Sequence, residues 1–178
     1  MLIYIGADHR GFELKEYLKN ALKSMGYSVS DVGNDHYDET DDYPDFAKAV
    51  AKKISIDYEN SRGILICGSG AGVDIVANKF PNVRSALVMT ADQAFDSRND
   101  DDVNILSLGA NYVDAEAAKK IVITWLQTPF AEDERFRRRI KKISQIELEL
   151  SESTRKDIRG YEELEKQRTD EIKPPSWS

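Results

Sequence analysis

The chain has 178 residues, 40% of them hydrophobic and 32% charged, with a formal net charge of −7. That length suits one domain with an appendage, and about 150 residues bury roughly 68–70% of the surface their unfolded chain exposes, enough for a real core. An acidic surface repels phosphate backbones and anionic headgroups, so nucleic acid and membranes are poor partners, and a small anionic substrate needs a local basic cluster. The single cysteine, Cys67, leaves no partner for an intramolecular disulfide and suits a reducing cytosol. No secretory leader pattern opens the sequence and no run of about 18 apolar residues exists to span a bilayer, so a cytoplasmic location is expected.

The apolar period switches repeatedly along the chain. Leu2–Ile5 reads as a buried strand ending at Gly6, and Phe12, Leu14, Tyr17, Leu18 and Leu22 then follow at helical spacing until Gly26. Tyr27–Val32 reads as a second strand and Tyr43–Ile56 as a helix with Phe46, Ala47, Val50 and Ile54 on one side. Gly63–Cys67, GILIC, is continuously apolar, as a central parallel strand is. Val73–Phe80 reads as a helix, Ser85–Met89 and Val103–Leu108 as strands four and five, and Ala115–Trp125 as a helix closing the core. Five strands alternating with helices predict an α/β fold, a three-layer αβα Rossmann-like domain with a five-stranded parallel sheet. Sites in such sheets lie beyond the carboxyl ends of the strands, here Gly6–Gly11, Gly33–Tyr43, Cys67–Gly72, Met89–Arg98 and Gly109–Tyr112.

After Thr128-Pro129 the character changes. Glu132–Leu150 reads as a strongly charged helix with a basic start, and 151–178 as a charged extension in which Ile158, Tyr161 and Leu164 can form a narrow stripe before Pro174-Pro175. The expected division is a domain over 1–150 followed by this extension.

Four segments can carry chemistry. The first is Cys67–Phe80, CGSGAGVDIVANKF, which leaves a buried strand and enters a helix. Gly68, Gly70 and Gly72 leave backbone N–H groups uncovered, with Ser69 and Ala71 between them, so the loop is a ready anion cradle. It lacks the Lys-Ser/Thr of a P-loop, and its glycine spacing is not the dinucleotide fingerprint, which argues against a nucleotide-binding module. Cys67 at its lip is a base or nucleophile, or else a small buried residue; the flanking glycines favour the first. A tyrosine-phosphatase loop would need an arginine six positions on, where Val73 stands. The second segment is Gly6–Lys15, GADHRGFELK, with Asp8 and His9 at a strand end; Asp8 equally serves as a helix cap. The third is the basic helix start, where Arg135 and Arg139 share one face and suit a phosphate dianion, or form a solvated face balanced by Glu132, Asp133 and Glu134. The fourth is Thr40–Val50, where Tyr43 can stack on or hydrogen-bond a sugar and Pro44 suits a first helical turn. One cysteine with His9 and His36 makes no zinc spacing, and the run Asp100-Asp101-Asp102 reads as a surface turn, with a cation site as its alternative. No metal and no cofactor is expected.

In this order the segments resemble ribose-5-phosphate isomerase type B and the related galactose-6-phosphate isomerase, from about Met1 to Ile146. The resemblance rests on G-x-DH-x-G-F-x-L-K at Gly6–Lys15, D-Y-P at Asp42–Pro44 and G-I-L-I-C-G-[ST]-G-x-G at Gly63–Gly72. Asn78-Lys79, Val83–Ala86 and Asn104–Leu106 add to it. It implies an aldose–ketose isomerase acting on a small sugar phosphate. Cys67 is then the base that moves a proton between C2 and C1, and the backbone of Ser69–Gly72 holds the enediolate oxyanion. It also implies His9, Arg135 and Arg139 at the phosphate, Asp8 and Tyr43 at the sugar, and a homodimer or homotetramer with shared sites. Two positions depart from the pattern: Asp100 stands where the family has a ring-opening histidine, and Asn111 where it often has an arginine. A carboxylate is a much weaker base than imidazole near neutral pH. A partner-dependent or non-catalytic sugar-phosphate-binding subunit is therefore the alternative.

Overall fold

A computed structural model describes residues 1–171. The elements run β1 (Leu2–Ala7), α1 (Phe12–Ser24), β2 (Ser28–Asp31), α2 (Tyr43–Ile56), β3 (Ser61–Cys67), α3 (Ala71–Ala77), β4 (Ser85–Leu87), α4 (Ala91–Asp101), β5 (Ile105–Gly109), α5 (Ala115–Gln127) and α6 (Glu134–Glu171). All strand pairs are parallel, in the order β2-β1-β3-β5-β4. This is the expected αβα layering. The chain divides into two compact units, Met1–Arg137 and the residues from Arg138 onward.

Period-2 alternation along the central strand builds both cores. Ile64 and Ile66 join Ile3, Ile5, Leu18, Leu22, Leu106, Leu108 and the fully buried Trp125 on the side of α1, α4 and α5. Leu65 and Cys67 face the other way, into Ala47, Val50, Ala51, Ile54, Val73 and Ala77 of α2 and α3. The chain leaves β1 for one edge of the sheet and β3 for the other. The two carboxyl ends therefore border a crevice at the switch point, where ligands of such sheets bind.

Lys15 ties the entry of α1 to the end of β2. It is fully buried, its ammonium 2.7 Å from Asp31 Oδ2 and donating to the carbonyl of Asn34. Lys19 reaches the same Asp31 oxygen at 2.8 Å. Burial alone would raise the Asp31 carboxyl, but the two ammonium groups and the Gly33 amide hold it below its ordinary value.

Three expectations need correction. The segment Met89–Arg98, expected simply to follow the carboxyl end of β4, is helix α4 from Ala91, entered through Thr90, whose hydroxyl accepts the Gln93 amide at 3.1 Å. Asp100 and Asp101 form its last turn rather than a surface turn, and Asp102 clamps Arg84 (2.6 Å) and Arg98. The charged helix starts at Glu134 and runs on to Glu171, past the expected end at Leu150. The side chains of Ile158, Tyr161 and Leu164, and Pro174-Pro175, lie outside the described residues. Among the described residues no helix is long and apolar enough to cross a membrane.

Candidate active site

The β1 end and the β3 loop meet at the crevice. Past Ala7 the chain makes a tight turn: the Asp8 amide donates to the Ile66 carbonyl at 3.3 Å, and Asp8 Oδ1 accepts the Gly11 amide at 3.0 Å. Asp8 therefore does the helix-entry work that its residue type allows, yet it stays buried at the crevice wall. Burial raises its carboxyl above the ordinary value, with the Gly11 amide opposing and the nearby Asp41 charge adding to the rise.

His9 is held by a residue that the sequence did not single out. Its amide and its Nδ1 both reach Asp41 Oδ1, at 3.0 and 2.7 Å, and Asn34 donates to the other Asp41 oxygen. The hydrogen bond to Asp41 raises the imidazole above its ordinary 6.5. Because the folded value lies above the unfolded one, this pairing stabilises the fold fully below about pH 6.5, and the contribution fades as pH rises through the folded value. In Asp41→Asn the His9 ring is expected to titrate at lower pH, read from its carbon-bound proton shifts; an unmoved midpoint would exclude Asp41 as the cause.

Cys67 ends β3 in register with Gly109 and is 4% exposed. The Gly70 amide donates to its Sγ at 3.1 Å, which requires the left-handed φ of 79° that Gly70 adopts. The Ser69 hydroxyl is exposed and accepts the Ala71 amide at 3.3 Å. Helix α3 has only seven residues, so an anion at this end would meet the loop amides rather than a long helix dipole. The loop lies on the end of β5: Ala110 and Asn111 amides donate to the carbonyls of Cys67 and Gly68 at 2.9 and 3.0 Å. Tyr43, at the start of α2, lies against Gly72 so closely that a β-carbon there would be 2.7 Å from its ring. Asp8, His9, Tyr43, Cys67, Gly68, Ser69, Gly70, Ala71 and Gly72 thus gather at one end of the sheet.

Asp100 and Arg135 do not join them. Helix α4 returns the chain to the amino end of β5, so Asp100 and Cys67 are separated by the length of that strand, roughly 13 Å at about 3.3 Å per residue. Asp100 accepts the Asn99 side-chain amide at 2.7 Å. The Ala131 amide donates to the Asn99 carbonyl at 3.1 Å, which brings the approach to α6 to the same edge. Arg135 is exposed there, stacked 4.5 Å over the Phe136 ring and 3.6 Å from Asp133. Arg139 follows four positions along α6 and is exposed.

A family model described as Ribose/Galactose Isomerase matches residues 3–143. The chain belongs to this family. It is 41% identical over 147 residues to the probable ribose-5-phosphate isomerase B of Mycoplasma genitalium, covering 83% of this chain and 96% of that protein. It is 36% identical to the ribose-5-phosphate isomerase B of Mycobacterium tuberculosis, covering 83% and 90%. The crystal structure of the M. genitalium enzyme with bound ribulose-5-phosphate superposes with a TM-score of 0.81 at 40% identity, over 83% of this chain and 97% of that one. The Clostridium thermocellum ribose-5-phosphate isomerase B gives 0.80 at 42%, over 84% and 99%. Helix α6 continues beyond the matched segment.

Proposed function

We propose that this protein interconverts ribose 5-phosphate and ribulose 5-phosphate, with Cys67 as the base. The observation that carries the reading is a cysteine sulfur at the mouth of a loop of backbone donors, bordered by Asp8, His9 and Tyr43, in a chain of this family. On the open-chain aldose, the Cys67 thiolate takes the C2 proton and the electron pair moves onto the C1 carbonyl oxygen. The enediolate oxyanion is held by the backbone donors of the Ser69–Gly72 loop, where the Gly70 amide meets Cys67 Sγ and the Ala71 amide meets Ser69 Oγ before substrate binds. Return of the proton from sulfur to C1 completes the carbon transfer. The O2 hydroxyl proton must pass to O1, and Ser69 carries the only polar side chain of that loop. Each step balances without metal or cofactor. Asp8 and Tyr43 orient the sugar, and His9, cationic over a wider pH range because of Asp41, faces the phosphate.

Arg135 and Arg139 complete the phosphate site from a second copy of the chain, in a homodimer or homotetramer. The support for this is the placement of Arg135 and Asp100 at the far end of the sheet from Cys67 in their own chain. Asp100 then stands where the sugar ring opens. It is a weak base for that step, so ring opening in solution supplies part of the open-chain substrate. We place the enzyme in the cytosol, where reduced thiols and sugar phosphates coexist.

The test is turnover by the purified chain alone on ribose 5-phosphate, allose 6-phosphate and galactose 6-phosphate, followed by ketose formation. Ribose 5-phosphate is expected to be the fastest. Turnover of none of them by a folded oligomer would move the assignment to a partner-dependent subunit.

A further inference from the structure

Arg10 takes no part in the chemistry assigned above, yet its side chain lies on the Cys67 loop. A β-carbon at Gly68 would be 2.8 Å from Arg10 Nε, 3.0 Å from Cδ and 3.1 Å from Cζ, so the guanidinium is laid directly over the residue that follows the proposed base. Its Nη2 donates to Asn111 Oδ1 at 3.3 Å, and the Asn111 amide in turn donates to the Gly68 carbonyl at 3.0 Å. Three segments, the Asp8–Gly11 turn, the Cys67 loop and the β5 end, therefore converge on one guanidinium. That contact requires glycine at 68, since any side chain there would displace the arginine stem.

This arrangement is costly unless the charge is used. Arg10 is exposed, and ordering a long side chain over a glycine sacrifices rotamer freedom. Among the described residues no carboxylate pairs with it, although Glu13 and Asp114 line a neighbouring groove with it. Asn111 is neutral and takes one of the five guanidinium donors, leaving the rest of a planar fork for an anion. In a chain of net charge −7, an anionic substrate needs cations placed by the site itself. His9, the neighbouring residue, is the other basic group of this turn; its Nδ1 is held by Asp41 and its ring meets Tyr37 edge to face.

We propose that Arg10 is a specificity-determining residue that grips the phosphate of the sugar phosphate, with Asn111 orienting its guanidinium. The proposal rests on the isomerase reading. Its signature is loss of binding rather than of chemistry, because the phosphate keeps its charge through the reaction.

The experiment compares wild type, Arg10→Ala, Arg10→Lys and Asn111→Ala as full-length protein, with ribose 5-phosphate as substrate and inorganic phosphate as competitive inhibitor. Arg10→Ala is expected to raise KM on the order of 10- to 100-fold with kcat nearly unchanged, the size of one lost charge-assisted contact. Inorganic phosphate should weaken as inhibitor by a similar factor. Arg10→Lys should fall between the two, since it keeps the charge and loses the fork, and Asn111→Ala should raise KM by a smaller factor than Arg10→Ala. Unchanged KM and unchanged phosphate inhibition in Arg10→Ala would overturn the proposal while leaving the isomerase reading intact. A fall in kcat alone would also overturn it, by assigning Arg10 to the reacting carbons. If wild type turned over no sugar phosphate, the isomerase reading would fall. Phosphate titration followed by amide shifts, wild type against Arg10→Ala, would then decide the anion site by itself.

Discussion

Replacing Cys67 by alanine is expected to lower kcat for ribose 5-phosphate by about 10²–10⁴-fold, the range a positioned base supplies, with KM little changed. The reason is local. Sγ is the basic side-chain atom at the start of the loop, and the Gly70 amide is aimed at it from 3.1 Å. The same side chain packs in the core under α2 and α3, so the variant also loses a small amount of buried surface. Alanine is small and apolar, which keeps that loss to about 1 kcal/mol and leaves a folded protein to assay. Thermal unfolding run beside the kinetics separates the two effects. An alanine variant within about tenfold of wild type would end the assignment of Cys67 as base, whatever its stability.

The second large effect belongs to Gly70. Alanine there must adopt a φ of 79°, which costs about 1–2 kcal/mol for a residue with a β-carbon. Its methyl would meet Leu87 Cδ1 at 2.4 Å, the Leu108 carbonyl carbon at 2.8 Å and the Gly109 nitrogen at 2.9 Å. The leucine side chain can swing away, but the β5 backbone cannot. We expect Gly70→Ala to lose about 2–4 kcal/mol, read as a lower urea midpoint. Relief of the clash lifts the loop off β5 and carries the Gly70 amide away from sulfur, so kcat falls as well. A variant with the wild-type midpoint and turnover would show that the loop is not held as described.

Much of this architecture is legible in the sequence. GILIC is so uniformly apolar that it reads as a central strand, and three glycines after it mark a loop where backbone, not side chains, meets the ligand. Helix α4 is hidden in the sequence for a physical reason. Its sequence, ADQAFDSRNDD, buries only Ala94 and Arg98, so it carries almost no apolar period to read. Its helicity comes from the Thr90 cap and from Asp102, which ties Arg84 and Arg98 at its end. The partners of His9 and Arg10 were hidden differently. Asp41 is 32 positions from His9 and Asn111 is 101 from Arg10, and no local pattern links residues so far apart. The residue types at the strand ends were readable, but the tethers that aim them were a product of topology alone.

The division of polar groups between the two ends of the sheet has a genetic consequence. If two copies share their sites as proposed, each chain lends its cysteine loop to one cavity and its arginines to the neighbour's. A lesion at Cys67 then silences the cavity of its own chain, and a lesion at Arg135 silences the adjacent one. Two alleles, each inactive as a pure oligomer, would together reconstitute intact cavities in a mixed one, whereas two alleles damaged in the same half would not.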